Sequence, residues 1–359
     1  MKKTLLLFAL LCSLSLSAMG QKLKFVNATE LGVQGHTKQT NKSPYYRFDH
    51  TPYEFNKTIV GHSKHSSGLY VAFKTNSSQI SATWENTPRR LGDNMTGILQ
   101  LAVDLYIKVD GKWKFASVGR VSTIAQKNRR TRSLIKNLPE GEKECLLYLP
   151  GWCELRELLI GIDEDATIEG LKKPFRHKVI VHGSSITHGA SASRPGLTYN
   201  AILSRNLGID FVNFGFSGQC KMQPTFAEFL STCEADAFLF DAFSNPTLKE
   251  INSRLENFVT TLVKAHPGKP LIFLQSPITY EDCLDAVKYK QRKERHDAAR
   301  DIMKRLTKQY KNVYYLESPN VVGEGGSIDL THPNDVGFDR FIKAYQPKIA
   351  KILKKYGIK

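Results

Sequence analysis

The stretch Val179-Ile180-Val181-His182-Gly183-Ser184-Ser185-Ile186-Thr187-His188-Gly189 decides how this chain is read. An apolar run meets a glycine, then two serines, then a second glycine. Apolar residues closed by Gly-Ser read as a strand running into a turn. Far downstream the chain reads Asp329-Leu330-Thr331-His332-Pro333-Asn334. A serine at a strand end and a distant Asp-x-x-His supply a nucleophile, a base and a group that orients the base.

The order of elements around this stretch fixes the fold class. Upstream, from about Leu23 to Ile162, short β-like runs recur: Leu69–Phe73, Ile80–Trp84, Ala102–Val109 and Glu144–Leu149. Turn signals at Asp110-Gly111 and Pro150-Gly151 separate them. Asp110-Gly111, between Tyr106–Val109 and Lys112–Phe115, predicts a hairpin. Many short strands without helical periodicity predict a β-sandwich. The pattern changes near Glu169–Pro174. Beyond it, apolar strands at Val179–His182, Phe211–Phe214, Ala237–Asp241, Leu271–Gln275 and Val313–Leu316 alternate with helices. Ile251, Leu255, Phe258, Val259, Leu262 and Val263 form one helical face, and Phe338, Phe341, Ile342, Tyr345, Ile349, Ile352 and Leu353 another. This predicts a parallel sheet covered on both sides, a three-layer α/β/α domain. The expected organisation is a leader over residues 1–20, a β-sandwich over 21–172 and the α/β domain over 173–359.

The leader is read from Lys2 and Lys3, the apolar Leu5–Leu11 and the small residues ending Ala18-Met19-Gly20, a secretory signal cut before Gln21. Its apolar run is too short to span a bilayer, and no later segment is long enough. Cys12 does not follow a small residue, which argues against a lipid anchor. The expected location is therefore periplasmic or extracellular. Hydrophobic residues make up 41% and charged residues 24% of the 359 residues, within the range of globular proteins. Net charge is +17, and +17 − 2 = +15 once Lys2 and Lys3 are removed. Strong basicity suits nucleic acid, an anionic surface or an acidic substrate. The modest clusters, Lys127, Arg129, Arg130 and Arg132, then Lys288, Lys290, Arg292, Lys293 and Arg295, carry no nucleic-acid-binding signature. They read as a solvated basic surface or as a contact for an acidic glycan. Of six cysteines, five remain without Cys12, so internal pairing is incomplete. Cys145 and Cys153 flank a turn but would not face each other across a tight hairpin. Cys220, Cys233 and Cys283 read as small buried hydrophobes, and none has metal-site spacing.

In a doubly wound sheet, ligands bind beyond the carboxyl ends of the strands. The loop Gly183–Thr187 lies at that edge. A serine opening the next helix sits among unpaired N–H donors that favour an anion, although Ser184 or Ser185 could equally be a plain helix cap. The second strand leads to Gly218, whose backbone N–H can approach a ligand closely. The third leads to Asn245, whose NH₂ could serve an oxyanion or whose side chain could simply close a turn before Pro246. Imidazole titrates near neutrality, so His332 can act as a base, with Asp329 folding back to hold its ring, or closing an Asx-type turn. His188 is a rival base in poor geometry, sharing a turn with the serines.

Together Ser185, Gly218, Asn245 and Asp329-x-x-His332 resemble the four blocks of the GDSL/SGNH hydrolases, over the chain from about Lys178 to the C-terminus. Ala102-Val103-Asp104-Leu105-Tyr106 resembles the Gly-x-Asp-Leu-Tyr signature of the β-domain that precedes some of these enzymes. The resemblance implies a flavodoxin-like SGNH fold and a secreted serine esterase acting on short acyl groups on carbohydrate, with a small-molecule or glycan ester as partner. Ser185, His332 and Asp329 would form the triad. The Ser185 and Gly218 N–H groups and Asn245 would form the oxyanion hole. No metal or organic cofactor is called for. The chain departs from the family pattern in Ser184 for Asp, Ala102 for Gly, and Phe243 where a Gly is usual, a ring that could crowd the oxyanion hole or narrow an acyl pocket. Two other classes fit parts of the pattern: an FMN binder using the Ser/Thr-rich loop for phosphate, and a non-catalytic glycan-binding protein. An acyltransferase would use the same triad.

Overall fold

The computed structural model describes residues 22–37, 42–122, 128–277, 283–317 and 320–359. The expected leader, Cys12 and Lys127 lie outside them. Two antiparallel sheets form the N-terminal half. One has the order Leu23–Asn27, Leu155–Asp163, Ile80–Asn86, Arg129–Ile135. The other runs Ile168–Gly170, Tyr70–Thr75, Lys143–Tyr148, Asp104–Val109, Lys112–Val118, with Val33–Gln34 beside Tyr70–Thr75. Strand alternation sends Ile80, Ala82 and Trp84 of the first sheet against Val71, Phe73, Leu105 and Leu147 of the second. That is the face-to-face packing of a β-sandwich.

The hairpin forms at Asp110-Gly111, where both residues have positive φ (51° and 74°), as a two-residue I′ turn requires. One expectation fails locally. Ala102 and Val103 precede the strand, which begins at Asp104 after a helical turn Gly97–Leu101 capped by Thr96. Pro150-Gly151 closes no hairpin, because the chain crosses there from one sheet to the other. Cys145, Cys153, Cys220 and Cys233 are buried, whereas Cys283 is only half-buried, lying in the surface segment before the helix Ala286–Gln309.

The C-terminal half is an α/β domain with five parallel strands in the order Asp210–Gly215, Lys178–Gly183, Ala237–Asp241, Leu271–Leu274, Val313–Leu316. Each lies within a residue of its expected position. Alternate residues enter opposite cores. Ile180, Phe214 and Phe240 meet Leu255, Phe258 and Met303 on one side. Val179, Val181 and Leu239 meet Phe338, Phe341 and Tyr345 on the other. The helix Leu248–Ala265 opens with a capping box between Thr247 and Glu250. The first strand lies between the second and third, so the crevice at the switch of strand order opens above Gly183. Among the described residues no helix is long and apolar enough to cross a membrane.

The two halves meet through a buried ion pair. The Asp104 carboxylate is 0% exposed and accepts from Arg194 Nη1 at 2.9 and 2.8 Å and from Gly196 N at 2.8 Å. Arg194 also donates to Tyr106 Oη at 2.7 Å and lies over the Phe115 ring. Asp104→Ala would leave Arg194 without its counter-charge, which typically costs about 3–5 kcal/mol. The expected result is a matching loss in the urea-unfolding free energy, and an unchanged midpoint would refute the role of this pair.

Candidate active site

Strand register sets the floor of the site. Gly183 is level with Gly215 on one side and Asp241 on the other. The short helix Ser185–His188 sits directly on this step. A Cβ on Gly215 would lie 2.2 Å from His188 N, so only glycine lets the helix settle there. The two serines divide the work that was ambiguous in the sequence. Ser184 is the cap: its Oγ accepts from Ile186 N at 3.1 Å and donates to Asp241 Oδ2 at 2.6 Å. Ser185, 6% exposed, lies 2.8 Å through Oγ from His332 Nε2.

Asp241 is a buried carboxylate that also accepts from Thr187 Oγ1 at 3.2 Å and Ser244 Oγ at 3.0 Å. Burial pushes its carboxyl up, and these hydroxyl bonds act against the rise. On the facing loop, the Asp329 carboxylate serves both roles the sequence left open. Its Oδ1 accepts from Thr331 N at 3.0 Å and His332 N at 2.7 Å, closing an Asx turn. Its Oδ2 lies 2.7 Å from His332 Nδ1. Leu330 within this turn has φ 58°, a left-handed conformation that the Asx turn holds in place. Burial raises the Asp329 carboxyl, but the hydrogen bonds from the His332 side chain and backbone outweigh it, and the group stays below the ordinary carboxylate range. With Nδ1 donating to Asp329, Nε2 presents its lone pair to the Ser185 hydroxyl. Two residues after His332, Asn334 caps the final helix by accepting from Gly337 N.

The remaining candidate residues lie on the loops that follow the neighbouring strands. As the first residue of its helical turn, Ser185 has an N–H with no acceptor inside the helix. Gly218 has φ 68°, and the space its Cβ would fill is open. Asn245 Oδ1 accepts from Cys220 N at 3.3 Å, which fixes the carboxamide and leaves its NH₂ to donate. Phe243 does not crowd this side. It is 5% exposed and turns into the core against Phe273 and Tyr315, with ring centroids 6.2 and 6.1 Å away. His188 faces away from Ser185: its ring stacks on Trp152 at 3.9 Å and its Nε2 meets His65 Nδ1 at 3.4 Å. Burial, with Arg47 and two histidines nearby, holds His188 well below its ordinary value.

Sequence reasoning missed Asn94. It comes from the N-terminal half, and its Nδ2 lies 3.5 Å from Asp329 Oδ2 and 3.3 Å from His332 Nδ1. No local signal marks it, since the contact joins residues 235 and 238 positions apart. The structural role of Asp241 was also missed, although an acid ending an otherwise apolar strand, Phe238-Leu239-Phe240-Asp241, was a usable signal.

Two measurements check this geometry. Ser184→Ala removes the cap and one donor to Asp241, so it should cost about 1–3 kcal/mol in urea unfolding. A carboxyl whose folded value is depressed stabilises above its unfolded value and loses that contribution as pH falls through the folded one. The Asp329–His332 contact should therefore persist through the ordinary carboxylate range and break only below it, followed by the Asp329 carboxyl carbon shift in an acid titration.

Comparisons with known proteins bear on the fold and the family. The GDSL-like lipase/acylhydrolase family matches residues 176–350, and the N-terminus of SGNH-hydrolase-type esterases, named GxDLY, matches residues 23–168. No curated protein matches the chain. A solved structure from Bacteroides ovatus, assigned as a GDSL-like lipase, is 40% identical with a TM-score of 0.87, over 93% of this chain and 98% of that one. A salicylyl-acyltransferase from a tetracycline biosynthetic pathway shares the fold at 22% identity and TM-score 0.70, over 92% and 97% of the two chains. A family two carbohydrate esterase from Cellvibrio japonicus does so at 12% identity and TM-score 0.62, over 93% and 99%. With its β-domain, its parallel sheet and both family matches in place, this chain belongs to the GDSL-like lipase/acylhydrolase family of carboxylic ester hydrolases.

Proposed function

We propose that this chain is an exported serine esterase that removes short acyl groups, acetyl above all, from carbohydrate. In this reading residues 1–20 are a cleaved signal, residues 21–172 the β-domain and residues 173–359 the catalytic domain. Ser185 Oγ attacks the acyl carbonyl while His332 Nε2 takes its proton. Asp329 holds the ring and stabilises the imidazolium. The tetrahedral oxyanion is received by the N–H groups of Ser185 and Gly218 and by the Asn245 NH₂. Collapse expels the sugar alcohol, which takes the proton back from His332. Water, activated by the same histidine, then attacks the acyl-enzyme and releases the acid with Ser185 restored. No step calls on a metal or an organic cofactor.

The observation that carries the reading is the unbroken run Ser185 Oγ, His332 Nε2, His332 Nδ1, Asp329 Oδ2, with contacts of 2.8 and 2.7 Å. Likeness of fold to carbohydrate esterases favours a sugar ester as substrate. The FMN reading gives Asp329 and His332 no task. The non-catalytic reading rested on Phe243 filling the site, and the core packing of that ring removes its motive.

The test is hydrolysis of p-nitrophenyl acetate and of acetylated and longer-acyl sugar esters. Ser185→Ala should abolish turnover with the circular dichroism spectrum retained, and unchanged turnover would end the assignment. Asn245→Ala should slow kcat by about 100- to 1000-fold, as loss of one oxyanion donor does.

A further inference from the structure

The N-terminal half carries a recess of about 450 Å³ lined by Arg89, Arg90, Leu91, Leu101, Asn128 and Arg130 among others. Its charge is of one sign. Arg130 is turned inward by the alternation of the strand Arg129–Ile135 and is 8% exposed, while Arg129 beside it is exposed. Among the described residues Arg130 donates only to Asn128 O, at 3.0 Å. Arg89 Nη1 meets His65 Nε2 at 3.3 Å and its Nε donates to Arg90 O at 3.2 Å. Among the described residues none of the three arginines has a carboxylate partner.

The acids close by are committed elsewhere. Glu85 pairs with Arg129 and Arg156 at 3.7 and 3.6 Å, and Glu157 pairs with Arg129. Glu154 accepts from Tyr46 Oη at 2.6 Å. Burial pushes the Arg89 and Arg130 guanidiniums below their ordinary values, and no carboxylate offsets it. A buried, uncompensated guanidinium is costly unless an anion meets it, and its planar fork matches a carboxylate.

The recess and the triad share one length of chain. Arg89, Arg90 and Leu91 line the recess, and Asn94 lies against Asp329 and His332. Four residues span at most about 14 Å. The segment is pinned by the buried Gln100, whose Oε1 accepts from Gly92 N at 2.8 Å and whose Nε2 donates to Gly92 O and Met95 O, both at 3.2 Å. Arg89 also reaches back through His65 to His188 in the nucleophile's helix, with contacts of 3.3 and 3.4 Å.

We propose that this recess is a subsite for the carboxylate of an acidic sugar, carried by the same glycan whose ester enters the Ser185 site. The assignment rests on the carbohydrate-esterase reading and adds a substrate class to it. A uronate would pair with Arg90 and Arg130 while a neighbouring sugar presents its acyl group to Ser185, and the pinned segment 90–94 would set the spacing.

The test is calorimetry on full-length Ser185→Ala protein at low salt. The probes are a xylo-oligosaccharide bearing one glucuronate, its carboxyl-reduced neutral counterpart, and inorganic sulfate. The acidic oligosaccharide should bind at least about tenfold more tightly than the reduced one, the scale of one charge-assisted hydrogen bond. Arg90→Gln and Arg130→Gln should each remove most of that difference. Arg90 lies on the exposed rim, so its variant reports even if Arg130→Gln folds poorly. Equal binding of the acidic and reduced sugars, or binding indifferent to Arg90→Gln, overturns the proposal. Sulfate binding as tightly as the oligosaccharide assigns the recess to a free oxyanion and overturns the glycan assignment. Binding is measured without turnover, whereas p-nitrophenyl acetate hydrolysis by the wild-type protein tests the esterase reading separately, so the two failures are distinguishable.

Discussion

Everything at the active edge depends on one buried carboxylate. Asp241 ends the third strand level with Gly183, and its two oxygens collect the hydroxyls of Ser184, Thr187 and Ser244. Those bonds tie the first and last turns of the nucleophile loop to the neighbouring strand. A charge with so little solvent is tolerated only when its lone pairs are filled. The consequence is a stiff turn. Ser184 is consumed in capping and anchoring, and Ser185 is the serine left to face His332. The sequence could not rank these two serines by type. The carboxylate beneath them ranks them by contact.

The C-terminal fold was legible because its signals are local and periodic. Strands of four to six residues with opposite-facing apolar sets, and helices with one apolar face, can be read from spacing alone. The site blocks could be placed on one edge for a topological reason: in a parallel sheet every strand ends at the same edge, so the loops carrying Ser185, Gly218 and Asn245 all follow strand ends there. What stayed hidden was rotamer and long-range contact. Phe243 was expected to crowd the oxyanion side, but its ring turns toward Phe273 and Tyr315, a choice set by core packing and not by its place after Asp241. Asn94 and Arg194 act across the boundary between the halves, where no periodicity operates. Asp104 was quoted only as part of a motif. Its place at the start of a buried strand was the clue that its carboxylate needs a partner from outside the sheet.

The boundary between the halves is therefore no passive seam. On one flank of the nucleophile, Asp104 fixes Arg194 and Gly196 in the loop after the Ser185 helix. On the facing loop, Asn94 approaches Asp329 and His332. Ser191 Oγ donates to Asn94 O at 2.9 Å, which closes the circuit between those two contacts. A β-domain that touches both the nucleophile's helix and the base's loop constrains their separation, and that separation is what a 2.8 Å hydrogen bond between Ser185 and His332 demands.

Arg47 carries the same logic beneath the sheet edge. Its guanidinium is fully buried, pushed down to about 9 by desolvation, and lies over the Phe216 ring. It finds oxygens of neutral groups instead of an acid: Gly215 O at 2.7 Å, His62 O at 2.6 Å and Asn213 Oδ1 at 3.3 Å. Asn213 in turn donates to Thr187 O at 2.8 Å, inside the nucleophile's helix. A residue of the N-terminal half thus reaches the Ser185–His188 helix, at Thr187 O, through a single asparagine. A guanidinium can be buried this way because three hydrogen bonds from Nη1 and Nη2 reach polar oxygens and its face meets an aromatic ring, while Nε has no partner among the described residues. A cation held by neutral oxygens adds no acid of its own beneath the Ser185 turn, where Asp241 already supplies a buried carboxylate.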